Sequence, residues 1–160
     1  MHMDGDAFFV SVEVAKNPSL RDKPAVTGNE RGIVSALSYE AKALGITRGL
    51  PIYQVKRKFP SVIILPGDYE SYVSYSQKMF NIVRRYTETV EEYSIDECFA
   101  DLTGWQRPLK MTYREILGNI QRDIKNELDI SVSLGLAPTK VLAKVASKWH
   151  KPNGLTLIPG

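Results

Sequence analysis

Val90-Glu91-Glu92-Tyr93-Ser94-Ile95-Asp96-Glu97-Cys98-Phe99-Ala100-Asp101-Leu102 reads as two short strands, Val90 to Tyr93 and Cys98 to Leu102, with Ser94 to Glu97 at or beside the turn. Upstream, Asp68 is an N-cap candidate for a long helix, with Tyr72, Met79, Phe80, Val83 and Tyr86 at roughly helical spacing. Downstream, Thr112-Tyr113-Arg114-Glu115 is a capping box. The helix it opens carries Ile116, Leu117, Ile120, Ile124 and Leu128 on one face. Ile130, Val132, Leu134 and Leu136 then alternate with Ser131, Ser133 and Gly135, as in a half-buried strand. Pro138 and Thr139 open a last helix that stops before Lys151-Pro152-Asn153-Gly154, and Leu155 to Ile158 forms a final strand.

At the front of the chain, His2 to Asp4 is a very short strand, and Phe8 to Val14 fits either a helical or a strand period. A small mixed segment follows. Pro24 to Thr27 and Gly32 to Ala36 read as a hairpin. Ser38 caps a helix from Tyr39 to Leu44 that Gly45 ends, Pro51 opens another through about Lys58, and Val62 to Leu65 is a strand. With this insertion removed, a βαββαβ-like core remains, an α+β sheet with helices on one face. The cut points fall near Phe9 and near Gly67-Asp68.

A chain of 160 residues with 43% hydrophobic and 24% charged residues is a core-forming globular domain, with no membrane span, signal peptide or repeat. Its one cysteine, Cys98, makes no internal disulfide and fits a reducing compartment. The net charge of +3 is less informative than its layout. Ala41 to Gly67 holds five cations (Lys42, Arg48, Lys56, Arg57, Lys58) and no carboxylate, and Ile130 to Gly160 holds four lysines and none. The acids gather at Asp4 and Asp6 and again at Glu88, Glu91, Glu92, Asp96, Glu97 and Asp101. That layout suits a polyanion held beside a bound cation, and equally a solvated surface with ordinary clustering.

In a split βαβ-type sheet the first strand and the central hairpin are neighbours, so Asp4, Asp96 and Glu97 converge on one sheet edge. Three close carboxylates repel unless a cation sits between them. Hard oxygen ligands with open positions suit Mg²⁺ or Mn²⁺, and two such ions ~3.5–4 Å apart clamp an in-line phosphoryl displacement. The competing reading is three separate acids near turns. Against it stand the apolar settings of Asp4 before Phe8-Phe9, and of Asp96-Glu97 between Ile95 and Phe99. Phe8 and Phe9 by themselves read as core. Lys140, Lys144, Lys148 and Lys151 fall within ~80° of one another on a helical projection. Val141, Leu142, Val145 and Ala146 lie opposite. Such a stripe is either a solvated face or a phosphate-contacting one, and the missing acids at i±4 favour the second.

Four segments resemble the Y-family (translesion, UmuC/ImpB-like, polymerase IV-like) DNA polymerases. Met3-Asp4-Gly5-Asp6-Ala7-Phe8-Phe9-Val10-Ser11-Val12-Glu13 is similar to the first motif of that family, and Tyr93-Ser94-Ile95-Asp96-Glu97-Cys98-Phe99 to its S-I-D-E motif. Ser38-Tyr39-Glu40-Ala41-Lys42-Ala43-Leu44-Gly45-Ile46 is similar to its fingers helix. Gly135-Leu136-Ala137, Lys140 to Lys148 and Lys151-Pro152-Asn153-Gly154 are similar to its last palm helix and loop. The resemblance implies a palm from residues 1–9 and 68–160, fingers from 10–67, and template-directed transfer from a dNTP to a primer 3′-hydroxyl. It implies Asp4, Asp96 and Glu97 as catalytic ligands of two Mg²⁺ (or Mn²⁺) ions, joined by the Gly5 carbonyl. Asp6 is divided between a ligand and a structural role. Phe9 matches the gate that excludes a 2′-hydroxyl, with Phe8 beside it. Tyr39, Lys42 and Lys151 match triphosphate-binding positions, and Lys140, Lys144 and Lys148 the DNA-contacting helix.

Two of these positions depart from the family pattern. Lys42 replaces the usual arginine, and so keeps charge but not the bidentate fork. Only Met1 and His2 precede Met3, so the strand carrying Asp4 is expected to be short. The thumb and C-terminal DNA-gripping domain are absent from this chain, so synthesis by this piece alone is expected to be weak or nil. Implied partners are primer-template DNA, a dNTP and, through the absent part, a sliding clamp, with no membrane. The implied location is cytoplasmic and nucleoid-associated in a bacterium, nuclear otherwise. The rival readings are a polymerase-like module without turnover that binds DNA or protein, and a nucleotide cyclase. A cyclase would call for a glycine-rich hairpin where this chain has Ser-Ile-Asp-Glu.

Overall fold

The structure, a computed structural model, describes residues 1–160. In chain order the elements are β1 (His2–Gly5), α1 (Phe8–Lys16), β2 (Ala25–Thr27), β3 (Ala36–Leu37), α2 (Tyr39–Ala43), α3 (Ile52–Lys58) and β4 (Ile63–Ile64). They continue with α4 (Tyr69–Val83), β5 (Val90–Ser94), β6 (Glu97–Ala100), α5 (Gln106–Leu109), α6 (Tyr113–Leu128), β7 (Val132–Leu136), α7 (Lys140–Trp149) and β8 (Leu155–Leu157). No helix is long and apolar enough to cross a membrane. The chain divides into two compact units, one of Met1–Asp6 with Val73–Gly160 and one of Ala7–Tyr72. The division runs just before Phe8 and a turn into α4, so the inserted unit keeps all of α1, which packs on β2 and β3.

The first unit is built on a five-stranded sheet in the order β5-β6-β1-β7-β8. β1 lies centrally, antiparallel to β6 and to β7, while β7 and β8 run parallel. Its register sets Met3 beside Cys98 and Leu134, all fully buried, and sets Asp4 beside Glu97 and Ser133. Because side chains alternate along a strand, His2 and Asp4 share the face of Ser133 and Gly135. α6 is held at its start by the Thr112–Glu115 capping box and buries Ile116, Leu117, Ile120 and Ile124.

The expectation of helices on one face is corrected here. α7 packs on the Ser133–Gly135 face of β7, where a Cβ added at Gly135 would stand 2.3 Å from the Ala143 carbonyl and 2.4 Å from the Ser147 nitrogen. β7 is therefore buried on both faces, not half-buried. That close approach admits only small side chains, and the inward face of α7 is Ala143, Ala146 and Ser147. The larger apolar residues are displaced outward, with Val141 74% and Trp149 69% exposed.

The second unit carries a three-stranded sheet, β3-β2-β4, with β2 antiparallel to β3 and parallel to β4. Its core is Val26, Val34, Ala41, Ile46, Ile52, Val55 and Val62. The hairpin forms with a shorter second strand, because Ile33 is drawn off to bridge Pro51. Gly28 makes that turn possible. At φ +118°, a Cβ there would meet the Ile33 carbonyl at 1.9 Å. The ambiguous Phe8–Val14 run is helical in α1. It buries Phe8, Val10, Val12 and Glu13 around its circumference, which erases a clean period.

Candidate active site

The first unit brings Asp4, Asp96 and Glu97 together. Asp4 is at the end of the central strand, and Asp96 and Glu97 come from the β5–β6 turn, tied to β1 where the Gly5 N–H donates to the Asp96 carbonyl at 2.9 Å. One carboxylate oxygen from each lies within 4.8 Å of the others. Asp4 is buried. Burial, and then the charges of Asp4 and Glu97, push the Asp96 carboxyl up to about 6. A strained cluster of hard oxygen donors fits a small divalent cation, which relieves the mutual repulsion. The Ser94 hydroxyl, 3.2 Å from Asp96 Oδ1 and 3.0 Å from Glu97 Oε2, orients two of the three acids.

Lysines from α7 and the loop after it face these acids. Lys148 Nζ and Lys151 Nζ each lie 3.1 Å from Asp4 Oδ2, and Lys144 Nζ lies 3.6 Å from Glu97 Oε1 and 4.6 Å over the Tyr93 ring. Burial lowers the Lys148 pKa, but Asp4, Glu97 and Asp96 outweigh it and hold the ammonium above the usual lysine value. Lys140 pairs with Glu91 on β5. The stripe lacked acids along its own helix, but the sheet supplies them from β1, β5 and β6.

Gly5 offers its carbonyl to Lys151 Nζ at 2.9 Å. Asp6 is employed differently from the three acids. Its oxygens accept from the Ser131 and Ser133 hydroxyls at 2.8 Å each and from the Asn153 N–H at 2.7 Å, with Lys151 3.7 Å away. These bonds tie the Lys151-to-Gly154 loop to β7, so Asp6 positions the lysine. His2 was missed in the sequence. It is fully buried, with Nε2 3.1 Å from Glu97 Oε1 and Nδ1 2.6 Å from Ser147 Oγ, and burial lowers its pKa. Two residues before Asp4 on a strand means the same face, which is the signal that could have found it.

In the second unit, Phe9 stacks on Tyr72 with ring centroids 4.4 Å apart and planes 15° apart. The Tyr72 hydroxyl donates to Glu13 Oε2 at 3.0 Å, and burial followed by that carboxylate drives the phenol pKa up. Glu13 follows Phe9 by four residues on α1, one turn along the same side. Phe8 is buried. Tyr39 opens α2 behind the Ser38 cap, and Lys42 is three residues on along the same helix, exposed.

A family model described as the impB/mucB/samB family matches residues 3–148. The chain is similar to DNA polymerase IV 1 of Bacillus subtilis, 43% identical over 98% of this chain and 38% of that protein. It is 38% identical to DNA polymerase IV of Ureaplasma parvum over 99% of this chain and 45% of that one. Among solved structures it is similar to an insertion ternary complex of Dbh DNA polymerase (TM-score 0.88, 31% identity, 99% of this chain, 48% of that). DinB from Sulfolobus solfataricus gives a TM-score of 0.87 at 32% identity, over 98% of this chain and 47% of that one. The chain thus spans less than half the length of these relatives. With the matched region running from the residue before Asp4 through Lys148, the chain belongs to the impB/mucB/samB family.

Proposed function

We propose that this chain is the palm and fingers, the catalytic core, of a template-directed translesion DNA polymerase. The observation that carries the reading is the meeting of Asp4, Asp96 and Glu97 within 4.8 Å across two strands remote in sequence. Asp4, Asp96, Glu97 and the Gly5 carbonyl hold two Mg²⁺ ions, with Mn²⁺ as a substitute. Bound there, such ions supply Lewis acidity for an in-line displacement at phosphorus. The primer 3′-hydroxyl gives up its proton to water and its oxygen bonds to the α-phosphorus, while the bond from that phosphorus to the α,β-bridging oxygen breaks and pyrophosphate leaves.

Each remaining residue has a task in that reaction. Lys151, held beside Asp6, meets the triphosphate as a point charge, as does Lys42 on α2, while the neutral Tyr39 hydroxyl donates a hydrogen bond to a phosphate oxygen. Phe9, backed by the Tyr72 ring, leaves no room for a 2′-hydroxyl, and Phe8 packs beneath the segment. Lys140, Lys144 and Lys148 lie on one helix that turns its charge toward phosphate, Lys140 and Lys144 toward the DNA backbone and Lys148, in the last turn, toward the site of the acids. Primer-template DNA is the macromolecular partner, and a sliding clamp engages through the remainder of a longer protein. In a bacterium this work is cytoplasmic.

Titration of the chain with a fluorescent dNTP, with and without Mg²⁺, tests the reading. Metal-dependent binding abolished by Asp4→Ala supports a catalytic core. Binding that ignores both the metal and Asp4 favours a module that contacts DNA or protein without turnover.

A further inference from the structure

Three lysines already occupy the neighbourhood that the proposed ions require. Two of them share one oxygen, because Lys148 Nζ and Lys151 Nζ both stand 3.1 Å from Asp4 Oδ2. Their settings differ. Lys151 also donates to the Gly5 carbonyl, lies near Asp6, and has a side chain only 24% exposed. Lys148 projects from the last turn of α7 with its side chain 51% exposed, so its four-carbon stem can swing into solvent.

We propose that Lys148 is a displaceable counter-ion of the metal centre, seated on Asp4 in the metal-free chain and released to the phosphates of an arriving nucleotide. The inference rests on the metal-site reading above. A divalent ion bonded to a carboxylate oxygen at about 2 Å takes the lone pairs that hold the ammonium and repels its charge. A metal arriving alone must therefore displace Lys148 into water. A metal arriving with a triphosphate offers the ammonium new anionic oxygens nearby. Metal and nucleotide consequently assist each other's binding, and the coupling is reciprocal by linkage. Lys148 makes the centre respond to the metal–nucleotide pair more than to free metal.

The test is Mn²⁺ binding to the full 160-residue chain. It is followed by electron paramagnetic resonance of free Mn²⁺, without nucleotide and then with saturating dNTP, at constant ionic strength. Lys148→Ala and Lys148→Met are compared with the parent chain, and the second variant preserves most of the stem. The expected result is about tenfold tighter Mn²⁺ binding without nucleotide in both variants, with the enhancement by dNTP reduced by at least that factor. Equal or weaker Mn²⁺ binding in both variants overturns the proposal. Asp96→Asn separates the two levels. If that change removes Mn²⁺ binding while the Lys148 variants alter nothing, only the counter-ion role fails. If Asp96→Asn leaves Mn²⁺ binding intact, the metal-site reading fails with it.

Discussion

Replacing Asp96 by asparagine removes a charge whose placement costs the metal-free chain stability. Burial first, and then Asp4 and Glu97, lift this carboxyl from 3.8 to about 6. The native state keeps the proton up to about pH 6, whereas the unfolded chain releases it near pH 4. Between those values the native state binds more protons than the unfolded one, so stability falls as pH rises through the window and stays lowered above it. The shift corresponds to about 3 kcal/mol at most, and because Asp96 keeps some contact with solvent, screening brings the expected effect to about 1–3 kcal/mol. Asparagine is nearly isosteric and still accepts from the Ser94 hydroxyl, 3.2 Å away in the parent. Urea unfolding at a series of pH values with chelator present measures this directly. Asp96→Asn should exceed the parent by about 1–3 kcal/mol at pH 7.5, with the gain vanishing toward pH 4. Millimolar Mg²⁺ should restore stability to the parent and do little for the variant. A variant less stable than the parent at pH 7.5 without metal, or a gain independent of pH, would refute the argument.

Gly135→Ala places a methyl against the backbone of α7, 2.3 Å from the Ala143 carbonyl, so α7 must move and about 3 kcal/mol or more is lost in denaturant unfolding. Unchanged unfolding would mean that α7 is not seated on β7 as described. Tyr72→Phe keeps the ring under Phe9 but strands the buried Glu13 carboxylate. The expected loss is about 1–3 kcal/mol, and an unaltered melting temperature contradicts the pairing. Phe9→Val should bring ATP and dATP toward equal affinity in metal-dependent binding, and an unchanged ratio removes Phe9 from sugar selection.

Much of this architecture was legible because local signals agreed with the global fold. Ser38, Thr112 and Asp68 start their helices as their side-chain chemistry requires, with hydrogen bonds to the N–H groups of Ala41, Glu115 and Ser71. The Asp4–Asp96–Glu97 cluster was readable because a split βαβ sheet brings a first strand beside a central hairpin. α7 was harder. The apolar face opposite the lysines is Val141, Leu142, Val145 and Ala146, yet of these only Ala146 is buried, together with Ala143 and Ser147, since Gly135 lets the helix approach β7 closely. That choice depends on a tertiary contact that helical periodicity does not encode. The acids opposite the lysine stripe were hidden for the same reason, since Glu91, Glu97 and Asp4 lie on other elements. Buried partners such as His2 and Tyr72 gain their roles only through strand pairing and ring stacking.

Joint coordination of divalent cations by Asp4, Asp96 and Glu97 is what we propose for this cluster. Crystals of the chain soaked in Mn²⁺ and a dNTP, measured at the manganese absorption edge, test it most directly. The expected result is anomalous density shared between Asp4 and Asp96, with Glu97 in contact and Lys148 turned away from Asp4. Manganese bound elsewhere, with Lys148 and Lys151 still seated on Asp4, would contradict it.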